Sequence, residues 1–331
     1  MISTLVVGRT PLRISLFGGG TDLPGYYEEH GGAVLSFGID KYVYVTAKPR
    51  WDGRVVVNLG RHEDVGHASE VSHPIARECL LASGITDSVE IGGMSDATTS
   101  GSGLGSSSSL AVGLLSALRT LQGHACDPHP IAEEACRIEI DRLGEPIGKQ
   151  DQFAAAYGGC HEYRFHPGGK VEALPVPFDG AAASEFSQHT VVLNTGRTRR
   201  ASAILADQKE RIPDTSAHLH RLKDMVAEGR TLLAKGELPA LGALMDESWQ
   251  AKRRLSSLIH DPELDQAYEA ALSAGAYGGK LLGAGGGGFF LFLCPPDRRE
   301  AVQAAVPAYR PMPVCFGAPG SSILCREVRA A

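Results

Sequence analysis

Residues 100–109 read Ser-Gly-Ser-Gly-Leu-Gly-Ser-Ser-Ser-Ser and run straight into the apolar stretch Leu-Ala-Val-Gly-Leu-Leu-Ser-Ala-Leu at 110–118. Three glycines without Cβ atoms let backbone N–H groups converge, and the serines supply hydroxyls at the mouth of an uncharged helix. The first four N–H groups of a helix lack intrahelical partners, and the helix dipole adds positive potential there. The segment therefore has the form of an anion site, suited to phosphate. A flexible Gly/Ser linker is the competing reading, but linkers are not normally followed at once by nine residues fit only for burial. No Gly-Lys-Ser/Thr closes the segment, so it is not a P-loop, and the spacing of a dinucleotide fingerprint is absent.

At 331 residues the chain is long for one core, and two domains are expected. Its 43% hydrophobic and 21% charged content suits a globular enzyme. A net charge of −6 supplies no basic field for nucleic acid or an anionic membrane. An anionic substrate then needs a local basic pocket. Cys79, Cys126, Cys136, Cys160, Cys294, Cys315 and Cys325 are odd in number and scattered without a Cys-x-x-Cys, so neither a disulfide framework nor a zinc site is expected. A reducing cytoplasm is the expected location. The apolar part of residues 1–9 is too short for a signal peptide, and no run approaches a membrane span. The histidines show no metal-ligand spacing.

Short strands are expected at 5–7, 13–17, 32–39, 42–47, 54–58 and 88–94, and a helix at 74–83. Between the second and third strands, Gly18-Gly-Gly-Thr-Asp22 marks a tight turn open to a ligand, with Asp22 able to accept hydrogen bonds from hydroxyls, although a plain turn fits equally. A helix over 130–143 carries Glu139 between Ile138 and Ile140. Mg²⁺ takes one or two carboxylates plus phosphate oxygens, and periodicity alone does not choose between Glu139 and Glu134 as its ligand. Asp151 stands where the 144–151 loop enters a helix over 153–157, either as an N-cap or as a carboxylate that orients an attacking hydroxyl.

Residues 168–180, rich in Pro and Gly, set a boundary between units 1–180 and 181–331. Beyond it the pattern gives a strand at 190–193 and three arginines, Arg197, Arg199 and Arg200, in a loop that suits either solvent or a substrate phosphate. Helices at 218–235, 238–255 and 262–274 follow, then the glycine-rich 278–288 leading into an apolar strand at 289–294. A helix at 298–306 and strands near Val314 and Ile323 close an α+β chain.

Three segments in order, Thr10-Pro-Leu-Arg-Ile-Ser-Leu-Phe-Gly-Gly-Gly-Thr-Asp22, Gly103-Leu-Gly-Ser-Ser-Ser108 and Lys280-Leu-Leu-Gly-Ala-Gly-Gly-Gly-Gly288, resemble the GHMP kinase superfamily over nearly the whole chain. Within it, Phe17–Leu23, Gly101–Gly105, Gln150-Asp-Gln-Phe-Ala154 and Ser248-Trp-Gln-Ala-Lys252 are most similar to D-glycero-D-manno-heptose 7-phosphate kinases, which phosphorylate the anomeric hydroxyl. The resemblance implies a two-domain fold, with a ribosomal protein S5 domain 2-like N-terminal domain and a ferredoxin-like C-terminal domain. It implies ATP on Gly101, Gly103, Leu104, Gly105, Ser106, Ser107 and Ser108, and Mg²⁺ on Ser107 and Glu139. Asp151 and Arg13 are the implied catalytic pair; Gly19, Gly20, Thr21, Asp22, Gly286 and Gly287 are the implied substrate contacts. For a distal phosphate, Arg197, Arg199, Lys252 and Arg253 are candidate clamps, with solvated surface charge the equal alternative. The implied partners are ATP and a sugar phosphate, with a homodimer compatible and neither nucleic acid nor membrane expected. Residues 97–99, Ala-Thr-Thr, replace a proline common ahead of the central motif in that superfamily. Rival readings are an anomeric kinase for unphosphorylated fucose or galactose, and a sensor that binds nucleotide and sugar without transfer.

Overall fold

The fold is taken from a computed structural model that describes residues 3–97, 101–197 and 201–329. Arg199, Arg200, Ser100, Thr98 and Thr99 lie outside the described residues. Seven strands come first, β1 (Ser3–Phe17), β2 (Gly32–Pro49), β3 (Val55–Asn58), β4 (His62–Val65), β5 (Val89–Ser95), β6 (Cys160–Phe165) and β7 (Val171–Pro175). A second group follows, β8 (Thr190–Asn194), β9 (Gly278–Leu281), β10 (Phe289–Leu293) and β11 (Arg310–Pro311), before the closing β12 (Ser322–Arg329). The helices are α1 (Pro24–His30), α2 (Pro74–Ala82), α3 (Ser106–Leu121), α4 (Pro128–Cys136), α5 (Gln150–Tyr157), α6 (Gly180–Gln188), α7 (Ala201–Glu210), α8 (Ile212–Lys235), α9 (Leu238–Arg253), α10 (Pro262–Ser273) and α11 (Arg299–Ala304).

Two sheets result. The larger runs β12-β1-β2-β5-β3-β4, with β6 on the other half of β2 and β7 beside it. The smaller is antiparallel throughout, β11-β8-β10-β9. The separate strands expected at 5–7 and 13–17 are one strand, as are those at 32–39 and 42–47. Pro11, which has no N–H to give to a ladder, sits where the β1–β2 register shifts, so the bulge absorbs it. The strand near Ile323 does not belong with residues 181–321: β12 pairs antiparallel with β1, and the chain returns to its first sheet. That return covers an otherwise unpaired edge of β1, so residues 322–329 of the unit expected at 181–331 pair with a strand of the unit expected at 1–180.

The helix over 110–118 packs on β1 and β2, where Ser109 Oγ donates to Pro11 O at 2.8 Å and a Cβ on Gly113 would meet Thr10 and Val45, and its Ala111, Val112, Leu114, Leu115 and Leu118 are all buried. Burying that uncharged face fixes where α3 begins, and Gly105, in the left-handed region at φ +76°, turns the chain into its first residue, Ser106. The helix expected over 130–143 changes pitch: α4 stops at Cys136 and residues 137–142 form a π-helical turn. Leu143 N donates to Ile138 O over 3.0 Å, the five-residue closure of that wider turn.

The glycine-rich loop after β9 meets the phosphate loop backbone to backbone. A Cβ on Gly283 (φ +70°) would fall 2.3 Å from Gly103 Cα, and one on Gly103 (φ +74°) 2.5 Å from Leu282 O. Neither segment tolerates a side chain there without parting the two sheets. Gly283→Ala is expected to lower unfolding free energy by about 3 kcal/mol or more. Urea denaturation checks it, and a variant as stable as the parent would contradict this contact.

Candidate active site

Arg13 and Ser15 alternate on β1 and both face a cleft between the two sheets. The Arg13 side chain is 6% exposed. Its Nε donates to Asp151 Oδ1 at 2.7 Å and its Nη2 to Oδ2 at 2.8 Å, a two-bond fork that fixes both partners. Its Nη1 donates to Gly103 O at 2.5 Å, and its backbone N–H to Leu104 O at 2.9 Å. One residue thus ties the phosphate loop to the carboxylate at the start of α5. Asp151 makes no N-cap bond; Lys149 holds the cap position, and its own side chain makes no capping bond. Gly101, Gly103, Gly105, Ser106 and Ser107 line the cleft, whereas Leu104 and Ser108 are buried.

The Gly18–Asp22 turn forms the opposite wall. Gly19, Gly20 and Asp22 line the cleft. Asp22 accepts from Gly20 N at 3.1 Å and Gln150 N at 3.3 Å, which ties the turn to the helix bearing Asp151. Burial, reinforced by the charge of Asp151, raises the Asp22 pKa. Gly148 is needed to seat it, since a Cβ there would lie 2.0 Å from Asp22 Oδ2.

Two buried lysines complete the cleft. Lys252 of α9 donates to Gly283 O. Burial, with Arg13 close by, brings its ammonium down to about 8, against the pull of Asp22 and Asp151. Lys280 of β9 donates to Leu16 O at 2.6 Å, and burial together with Lys252 and Arg13 pushes it well below the usual lysine range. These three cations face two carboxylates, an arrangement that favours an arriving anion.

The π-helical turn separates the two candidate glutamates. Glu134 faces outward, paired with Arg137 at 2.6 Å. Glu139 is 1% exposed and accepts from Gln152 Nε2 at 2.6 Å. Burial lifts its pKa to about 7, with the Ser108, Gln152 and Ser107 side chains pulling it back. It lies behind the cleft wall that Ser107 lines.

Other expected contacts lie elsewhere. The Thr21 hydroxyl is 2.8 Å from both Gly18 O and Ala33 O and accepts from Ala33 N, so it closes the turn rather than facing the cleft. Gly286 donates to Ile259 O at 2.7 Å, and a Cβ on Gly287 would meet Arg197 O at 2.6 Å; the cleft is lined by Gly283 and Ala284 instead. The Arg197 guanidinium is held by Asp261 at 2.5 Å and Glu263 at 3.2 Å, and Arg253 by Asp265 at 2.7 Å. Acidic neighbours at the start of α10 therefore take two of the four clamp candidates, leaving Lys252 in the cleft. Sequence reasoning passed over Ser15, Gln150, Gln208 and Lys280, which also line it. A lysine set between Gly278-Gly279 and Leu281-Leu282 was a signal for Lys280, and the two-residue spacing from Arg13 was one for Ser15.

Residues 75–159 match the GHMP kinases N terminal domain and residues 230–311 the GHMP kinases C terminal. The D-glycero-alpha-D-manno-heptose 7-phosphate kinase of Campylobacter jejuni is 31% identical, over 88% of this chain and 90% of its own. The L-fucokinase/L-fucose-1-P guanylyltransferase of Bacteroides fragilis is 27% identical over 90% of this chain, but 35% of its own. A crystal structure of a D-glycero-D-manno-heptose 1-phosphate kinase from Bacteroides thetaiotaomicron superposes with a TM-score of 0.78 at 25% identity, covering 97% of this chain and 98% of that one. With these matches across both sheets and around one cleft, the chain belongs to the GHMP kinases and is an ATP-dependent sugar kinase.

Proposed function

We propose that this kinase transfers the γ-phosphoryl of ATP to the anomeric C1 hydroxyl of a heptose 7-phosphate, giving the 1,7-bisphosphate. The observation that carries the reading is the Arg13–Asp151 fork, set between the phosphate loop and the Gly19–Asp22 wall. Similarity to the C. jejuni enzyme supports the heptose phosphate as acceptor. ATP phosphates lie along Gly101–Ser107 at the N-terminus of α3, and the sugar lies against Gly19, Gly20 and Asp22. Asp151 orients the C1 hydroxyl or takes its proton as the new O–P bond forms and ADP departs. Arg13 keeps that carboxylate in one rotamer and adds positive charge where it develops on the phosphoryl oxygens. Lys252 adds a second charge.

A divalent ion fits the chain's own groups. Glu139 is a buried carboxylate beside the Ser107 hydroxyl, and among the described residues no three His, Cys, Asp or Glu cluster as a metal cage. Such a site suits Mg²⁺, which takes few carboxylates and completes its shell with phosphate and water. Glu139 and Ser107 would hold it, and the bound ion would neutralise phosphate charge.

A second reading, an anomeric kinase for an unphosphorylated sugar, draws on Arg197 and Arg253 being engaged by Asp261 and Asp265. Similarity to the B. fragilis fucokinase adds to it. Steady-state ADP release with D-glycero-D-manno-heptose 7-phosphate beside free L-fucose and D-galactose separates the two. In the same assay Asp151→Ala is expected to lower kcat by about 10²- to 10⁴-fold while ATP affinity by calorimetry is retained. Unchanged turnover would sink the assignment of Asp151.

The Glu139 carboxyl gives a pH test. Unfolded, it releases its proton near 4.5, and folded near 7, so the folded protein loses stability as pH rises through that window. The full effect is about 3 kcal/mol. Glu139→Gln is expected to remove this part of the pH dependence of urea unfolding and to raise the Mg²⁺ concentration needed for half-maximal turnover. A variant whose stability curve parallels the parent's from pH 4 to pH 8, with the same Mg²⁺ requirement, would contradict both roles.

A further inference from the structure

Among the residues lining the cleft, Ser15 stands out for its buried hydroxyl. Ser15 is 9% exposed, and its Oγ has no hydrogen-bond partner among the described residues. A buried hydroxyl left in that state is unfavourable unless a ligand or water meets it. Its place on β1 defines what that ligand is. Arg13 and Ser15 leave the same face about 6–7 Å apart along the strand, roughly the width of a sugar ring. Arg13 marks the reacting end through Asp151. Immediately beyond Ser15, Lys280 donates to Leu16 O, one bond for a group with several protons.

We propose that Ser15 is a specificity-determining residue whose hydroxyl, in the cleft that Lys280 also lines, binds a ring hydroxyl of the sugar away from the reacting carbon. The inference rests on the sugar lying between Asp151 and the Gly19–Asp22 wall, and it names the group that reads the ring's stereochemistry. A site built to hydrogen-bond a hydroxyl rejects the analogue that lacks it.

The test compares wild type, Ser15→Ala and Ser15→Thr on D-glycero-D-manno-heptose 7-phosphate and its 2-, 3- and 4-deoxy analogues, with melting temperatures for each protein. Ser15→Ala is expected to raise the sugar KM by about 10- to 30-fold, leave the KM for ATP unchanged, and keep or raise the melting temperature. Wild type and Ser15→Ala should treat one deoxy analogue alike, and Ser15→Thr should restore discrimination. If Ser15→Ala ranks every deoxy analogue as wild type does, or loses stability with an unchanged sugar KM, the proposal is overturned and the hydroxyl is structural or met by water alone. Should wild type act only on free L-fucose, the heptose phosphate reading falls, and the same comparison on deoxyfucoses still tests Ser15.

Discussion

Two glycine-rich backbones meet without side chains between them, and the active site is built around that contact. Gly103 and Gly283 lie in loops that follow strands of different sheets, and a Cβ on either would run into the other loop's backbone, Leu282 O for Gly103 and Gly103 Cα for Gly283. Arg13 locks the junction from beneath: its backbone N–H reaches Leu104 O, its Nη1 reaches Gly103 O, and the rest of its guanidinium grips Asp151. Lys252 closes the other side through Gly283 O. A shift of either loop would move the Asp151 carboxylate, proposed as the catalytic group, relative to the loop around Gly103. Phosphoryl transfer depends on that kind of positioning more than on covalent help.

The electrostatics follow from burial. The chain carries a net charge of −6, yet its cleft holds Arg13, Lys252 and Lys280 out of water. Crowding lowers both lysine pKa values, while Asp22 and Glu139 are raised by the same desolvation. Burial thus works against charge of either sign in and beside the cleft. A polyphosphate bound as proposed would favour the charged lysines, and a cation bound as proposed would favour the ionised Glu139, so ligand binding and proton movement would be linked. Function is maintained here against stability, since each of these groups would fold more cheaply as an apolar residue.

Much of this was legible in the chain because glycine and serine clusters have few structural uses. Residues 100–109 suggested a phosphate loop, and the resemblance carried by three ordered motifs marked Arg13, Asp22 and Asp151; the fold brings these three to one cleft with Gly101, Gly103, Gly105, Ser106 and Ser107. What escaped sequence reasoning depends on long-range contact. Nothing local shows that Asp261 and Asp265 occupy Arg197 and Arg253, or that β12 returns to β1. Glu134 and Glu139 are parted by a π-helical closure that helical periodicity does not contain. Pro11 suggested an interruption that a bulge instead accommodates. Ser15 could be placed on the Arg13 face by alternation, but only the assembled cleft shows its hydroxyl without a partner among the described residues.

Phosphorus NMR of the product formed from Mg-ATP and D-glycero-D-manno-heptose 7-phosphate bears most directly on the central claim, that the Arg13–Asp151 pair serves an anomeric hydroxyl. The account predicts a second sugar phosphorus signal coupled to the anomeric proton, appearing in step with ADP. A new phosphate on any other carbon, or ATP loss with no new sugar phosphate, would contradict it.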